Sequence, residues 1–139
     1  MAEESTTPDL RLRVQRVAGV KKSEVEDLMS FFAADSVWDM SRGGFGVIEG
    51  REAIRGFFEE WWAAYEDHES EAEEIQDLGN GVAFAVFVQR GRPVGSTGWV
   101  EFRDARVMIW ADGLIERTTA FLDIDEARAA AERLARERG

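Results

Sequence analysis

Asp39 is the first side chain in this 139-residue sequence whose setting could support chemistry. It stands in "SVWDM", residues 36–40, between Trp38 and Met40. A carboxylate among such bulky apolar neighbours has two readings. It is a proton-transfer group in a pocket, its pKa raised by burial, or a structural acid tied to the end of a strand. The glycines of "RGGFG", residues 42–46, do not match G-x-G-x-x-G and do not lead from a strand into a helix N-terminus. They read as a turn, not a nucleotide loop. His68 is the single histidine and lies in the acidic run "EDHESEAEEIQD", residues 66–77, where a helix is expected to end. That run reads as a solvated edge. The absence of cysteine excludes thiolate nucleophiles, Cys-zinc sites and disulfides, and with a single histidine besides, no transition-metal site is expected. A serine nucleophile likewise lacks a histidine partner. No cofactor is expected.

Composition narrows the partners. The formal charge is −11, which opposes binding to nucleic-acid phosphates and to anionic membrane surfaces. No apolar run approaches the roughly 20 residues needed to cross a bilayer. The polar, acidic "MAEESTTPD" does not resemble a targeting peptide, so a cytoplasmic location is expected. Apolar residues make up 45% of the chain, with nine Phe and five Trp, enough for one core lined by bulky rings.

The elements that must position these residues can be read from periodicity. Residues 1–6 are expected to be disordered, and residues 7–139 to form one domain. Thr7-Pro8 starts a helix with Leu10, Val14 and Val17 on one face, ending at Gly19. Ser23 and Glu26 form a capping box ahead of a second helix carrying Val25, Leu28, Met29 and Phe32. Short strands at 36–40 and 45–49 flank the glycine turn. A long helix from Arg51 to about Asp67 follows, with Ile54, Phe57, Phe58, Trp61 and Tyr65 as its apolar stripe. Strands at 69–78, 82–88, roughly 96–110 and 114–122 are joined by "GNG", "GRPVG" and "ADG" turns. A last helix, about 125–137, carries Ala127, Ala130, Ala131 and Leu134 on its inner face. Asp123 and Asp125 are placed to cap it. The order predicts an α+β fold, with the helices on one face of a curved sheet of about six strands. "VAFAVFV" and "VMIW" are apolar on both faces. The face away from the helices would need a cover, so a homodimer through the outer sheet face is expected.

Three segments carry a resemblance: "FFAADSVWDM" at 31–40, "GVIEGREAIRGFFEEWW" at 46–62 and "ADGLIERTTAFLD" at 111–123. They resemble the helix-to-strand junction, helix entry and final hairpin of the SnoaL-like polyketide cyclase family, which shares its fold with nuclear transport factor 2 and ketosteroid isomerase. The resemblance implies a cone, with a sheet wrapped on helices and an apolar pocket at the wide end. It places Asp39 where the isomerases keep their base. It places Arg16 and Arg106 where they keep an oxyanion-hole tyrosine and aspartate, and Ala120 where the cyclases keep a key aspartate.

Strand alternation puts Arg106, Met108 and Trp110 on one face, and the resemblance turns that face into the cone. The implied pocket is lined by Val37, Asp39, Phe58, Trp62, Arg106, Met108 and Thr118. The expected function is binding of a small, largely apolar molecule. If there is catalysis, it is metal-free proton transfer of isomerase, cyclase or dehydratase type, with Asp39 as base and Arg106 as anion stabiliser. The alternative is a non-catalytic binding or dimerisation module with Asp39 tied to Arg106.

Overall fold

The computed structural model describes residues 7–139, with side chains from Leu10 onward; the segment expected to be disordered, 1–6, lies outside them. Helix α1, Thr7–Ala18, opens on the Thr-Pro pair and stops at Gly19, as its pattern requires. It buries Val14, Val17 and Ala18. The short helix α2, Val25–Met29, buries Leu28 and Met29. It does not use a Ser23/Glu26 capping box. Glu24 accepts the Lys21 backbone N–H at 2.9 Å, and Glu26 takes both ends of the Arg55 guanidinium at 2.6 and 2.8 Å. A bidentate ion pair outcompetes a single backbone bond for the Glu26 carboxylate. Phe32, expected on α2, already belongs to strand β1, Phe32–Asp39.

Strand β2, Val47–Glu49, returns from the glycine turn and leads into α3, Arg51–Ala63, which buries Ile54, Phe58 and Trp62. This helix is shorter than expected. Tyr65 starts strand β3, Tyr65–Asp77, instead of ending α3. The reason is the pairing of Tyr65 with Pro93 on β4, and the Tyr65 ring, which lies on Gly91 where a Cβ would stand 2.5 Å from it. The sheet is completed by β4, Val82–Pro93, β5, Val100–Ala111, and β6, Leu114–Phe121. The final helix is α4, Ile124–Arg138.

The six strands run in the order β2-β1-β6-β5-β4-β3. β1 pairs with β6 in parallel, and every other neighbour is antiparallel. The acidic run forms the edge strand β3, where charge discourages pairing with another chain. The architecture is the expected α+β cone.

The last helix is on the other side from the one expected. Helices α1, α2 and α3 pack on the inner face, around Phe32, Trp38, Phe58, Trp62, Phe87 and Met108. Helix α4 covers the outer face, burying Ala127, Ala131 and Ala135 against Val82, Phe84, Val86, Ala105, Val107 and Phe121. Alanine at every fourth position lets the helix backbone approach the sheet closely. Asp123 caps α4 by accepting the Glu126 N–H at 2.9 Å. This answers the apolar outer surface that a second chain was expected to cover. Where α4 does not reach, the outer face is charged, with Arg90 and Arg103 paired to Glu69, Glu73 and Glu101.

Candidate functional site

Strand alternation fixes which residues face inward. On β5 these are Phe102, Asp104, Arg106, Met108 and Trp110. Arg106 sits opposite Ala85 on β4 and Ala120 on β6, and two small neighbours leave room for its guanidinium above the sheet. Arg106 is 4% exposed. The guanidinium carbon lies 4.0 Å from the Phe87 ring centre and 5.0 Å from that of Trp38, so its faces meet aromatic π-systems. Nε donates to Asp104 Oδ2 at 2.6 Å. Asp104 Oδ1 in turn accepts from Gln89 Nε2 at 3.3 Å. Among the described residues, this leaves the Arg106 Nη groups without a hydrogen-bond partner.

Arg106, Trp38 and Trp61 form a partition between two cavities. The larger, of about 310 Å³, has Phe57 and Phe102 as further walls and Phe45 and Leu122 at its rim. Asp104 and Arg106 are its charged groups. The rim residues are 77% and 75% exposed, so the cavity opens to solvent at the glycine turn and the end of β6. The smaller cavity, of about 20 Å³, lies deeper, bordered by Phe58, Trp62, His68, Ser70 and Gln89.

The expected site residues separate into three groups. Arg106 lines both cavities, and Phe58 and Trp62 border the deeper one. Met108 and Thr118, 1% and 0% exposed, are packed in the inner core and reach neither cavity. Val37 and Asp39 face the other way. Trp38 pairs with the inward Thr118, so its neighbours pair with the outward Arg117 and Thr119. The side-chain period of a strand is two, so an offset of one residue moves a side chain to the opposite face. Trp38, whose ring fills the inner space, takes the inward place.

Asp39 is fully occupied where it stands. Oδ1 accepts from the Ser41 hydroxyl at 2.6 Å and the Ser41 N–H at 2.9 Å, and Oδ2 accepts from Arg117 Nη2 at 2.6 Å. The Ser41 hydroxyl and backbone N–H, then the Arg117 charge, hold its carboxyl below the usual range despite some desolvation. That is the opposite of the raised pKa a general base needs. The expected Asp39–Arg106 pair is replaced by Asp39–Arg117 and Asp104–Arg106. Arg16 also stays outside the cavities, exposed, over the Phe31 ring at 5.5 Å.

Two residues of the site escaped the sequence reading. Asp104 was legible, since it precedes Arg106 by two and must share its face. His68 was hidden by the overlong helix. It lies on β3 with its ring turned inward, 5.3 Å from the Trp61 ring and 5.9 Å from that of Trp62. Burial, and then the charges of Arg106 and Lys22, keep its pKa below the ordinary imidazole value, against the pull of Gln89 and Glu69. Among the described residues, no group of three or more His, Cys, Asp or Glu could hold a metal ion, and no helix is long and apolar enough to cross a membrane.

Solved structures of similar shape share little sequence with this chain. One is a hypothetical protein with a ketosteroid isomerase-like fold from Catenulispora acidiphila DSM 44928, in complex with trimethylamine. It is 17% identical over 83% of this chain and 85% of its own, with a TM-score of 0.64. A second is TerC, co-crystallised with polyporic acid, 15% identical over 91% and 98%, with a TM-score of 0.68. A third is an LEH-like epoxide hydrolase of M. tuberculosis, 14% identical over 91% and 92%, with a TM-score of 0.67. No curated protein matches. At such identities the likeness is one of fold. The SnoaL-like domain, however, matches residues 14–118, most of the chain and all of the sheet up to the middle of β6, and the chain belongs to the SnoaL-like domain family.

Proposed function

We propose that the protein binds a small, largely apolar molecule in the larger cavity, with Arg106 as the partner of one carbonyl or anionic oxygen. The observation that supports this is the setting of Arg106. Two aromatic rings and Asp104 hold the guanidinium in place, and its Nη groups remain for a ligand at the wall of a cavity of about 310 Å³. A mainly apolar cavity of that size with a few convergent polar groups is the usual form of a small-molecule site. The reading keeps the expected cytoplasmic location and needs no cofactor. It does not require a second chain over the outer face, because α4 is already there.

Asp104 and Arg106 together supply what metal-free proton transfer on a carbonyl compound needs: a carboxylate to accept a proton and a cation beside the enolate that forms. In this reading the base is Asp104 and not Asp39. The second reading, a non-catalytic binding module, also has an observation in its favour. Asp104 is engaged by Arg106 at 2.6 Å, and Ala120, which lines the cavity, cannot transfer a proton.

The test is a thermal-shift screen of the wild type, Arg106→Gln and Asp104→Asn against aromatic carboxylates, aromatic ketones and alkylamines. The amines enter because one similar fold was solved with trimethylamine. A carboxylate or ketone that raises the wild-type Tm but not that of folded Arg106→Gln supports the proposal. An oxygen ligand indifferent to Arg106→Gln, or binding of amines alone, overturns it. For a ketone hit, exchange of its α-protons for deuterium, lost in Asp104→Asn, selects the catalytic reading. Binding without exchange selects the other.

A further inference from the structure

We propose that the small cavity behind Arg106 is a binding site for one water molecule, held by Gln89, His68, Arg106 and Trp62. The site stands whether or not the larger cavity takes a ligand. Its starting point is the orientation of Gln89, which is 2% exposed. An ionised Asp104 can only accept, so the Gln89 NH₂ must face it, and the 3.3 Å contact is Nε2 to Oδ1. The amide oxygen is thereby turned the other way, into the protein, where Oε1 has no hydrogen-bond partner. His68 lies beside Gln89, close enough for the amide to act on the ring, yet neither buried ring nitrogen meets a partner in hydrogen-bond geometry, and the same holds for Trp62 Nε1.

These groups border one cavity of about 20 Å³, together with the Arg106 side chain. A buried water needs roughly 10–15 Å³ of such space and two to four polar partners. The groups here meet both conditions. They also include both types. Gln89 Oε1 and the lone pair of a neutral imidazole accept; the Arg106 guanidinium, the Trp62 N–H and the other imidazole nitrogen donate. One water can give two hydrogen bonds and receive two, which serves four of these five sites. Leaving buried polar groups unmatched costs far more than the entropy of ordering one water. The imidazole must be neutral for this, and burial with the Arg106 and Lys22 charges nearby favours that form. A chain then runs from Asp104 through Gln89 to the water and His68, and the water fixes which ring nitrogen keeps its proton.

The test combines a high-resolution crystal structure with ¹⁵N NMR of the His68 ring. The expected result is one ordered water within hydrogen-bond distance of Gln89 Oε1 and a His68 ring nitrogen, with His68 in a single neutral tautomer. Two variants probe it. Gln89→Leu removes the oxygen and should lose the water and mix the tautomers. Ser70→Val pushes methyl groups into the same cavity while leaving the Asp104–Gln89 contact, and should displace the water if Gln89→Leu fails to fold. An empty cavity, His68 bonded directly to Gln89 Oε1, or a tautomer ratio unmoved by either variant overturns the proposal.

Discussion

Asp39 and Arg117 form a 2.6 Å ion pair on the outer face of the sheet, one residue out of step with the cavity that Trp38 lines. With Ser41 as a further donor, the pair fastens the end of β1 to β6 and to the turn that carries Phe45. The acid that looked most suited to proton transfer is thus a fastener at a strand end.

Asp39→Asn should therefore leave ligand binding in the cavity unchanged and lower stability by about 1 kcal/mol, the size of a lost hydrogen-bonded cap. The sign of the pH effect follows from the lowered carboxyl. A group held below its unfolded value of about 3.9 adds stability above that pH and loses it as pH falls through the folded value. The wild type should lose its advantage over Asp39→Asn in acid, below about pH 4. Urea melts of both proteins at pH 7 and pH 3 measure this. An equal gap at the two values would count against the assignment.

Asp104 and Arg106 should behave as a coupled unit. Removing one partner leaves the other charge buried and unmatched, a loss of about 3–5 kcal/mol, while removing both costs less than the sum. Asp104→Asn, which strands the Arg106 charge at 4% exposure, should show the larger single loss. A double-mutant cycle with Asp104→Asn and Arg106→Gln, read by denaturant unfolding, checks it. Strict additivity would mean that the aromatic rings alone hold the guanidinium.

Much of the architecture was legible because long periodic segments specify it. Helix α1, the buried side of α3, the centres of β4 and β5 and the "GNG" and "ADG" turns follow from apolar spacing and glycine position; the "GRPVG" turn does not, because Gly91 to Pro93 stay in β4 and β5 begins only at Val100. The site was harder, since its geometry depends on a parity that sequence leaves open. In "VWDM" both neighbours of Asp39 are bulky, so alternation alone does not say whether Trp38 or Asp39 turns inward; the pairing of Trp38 with Thr118 does. His68 was missed because "WWAAYEDH" continues a helical pattern, and only the pairing of β3 with β4 draws Tyr65 into the sheet. The side taken by α4 was equally hidden. An alanine-rich stripe fits either face, and the doubly apolar β4 strand decides the matter by offering it a surface.

That surface gives a prediction about association. Deleting residues 123–139 should uncover Phe84, Val86, Val107 and Phe121, an apolar patch of the kind that drives self-association. Light scattering should show the truncated chain forming dimers or larger species more readily than the full chain at the same concentration. If the two proteins have the same mass distribution, α4 is not the cover of that face. Within the intact helix, Ala131→Leu should cost about 1–3 kcal/mol by overpacking a site that is fully buried.

The β3–β4 turn offers a test that separates backbone strain from collision. Gly79 and Gly81 both have positive φ, 84° and 80°, so alanine at either is strained by about 1–2 kcal/mol. They differ in surroundings. A Cβ on Gly79 would meet nothing within 4 Å, whereas one on Gly81 would stand 2.5 Å from the Trp110 carbonyl oxygen. That carbonyl cannot retreat cheaply, because the Trp110 N–H is bonded to the Gly81 carbonyl at 2.8 Å and holds the two backbones together. Gly81→Ala should thus lower the Tm well beyond Gly79→Ala. Calorimetry on the two variants measures the difference, which isolates the close approach of β5 to the turn. Equal losses would show that the left-handed backbone alone sets the requirement for glycine there.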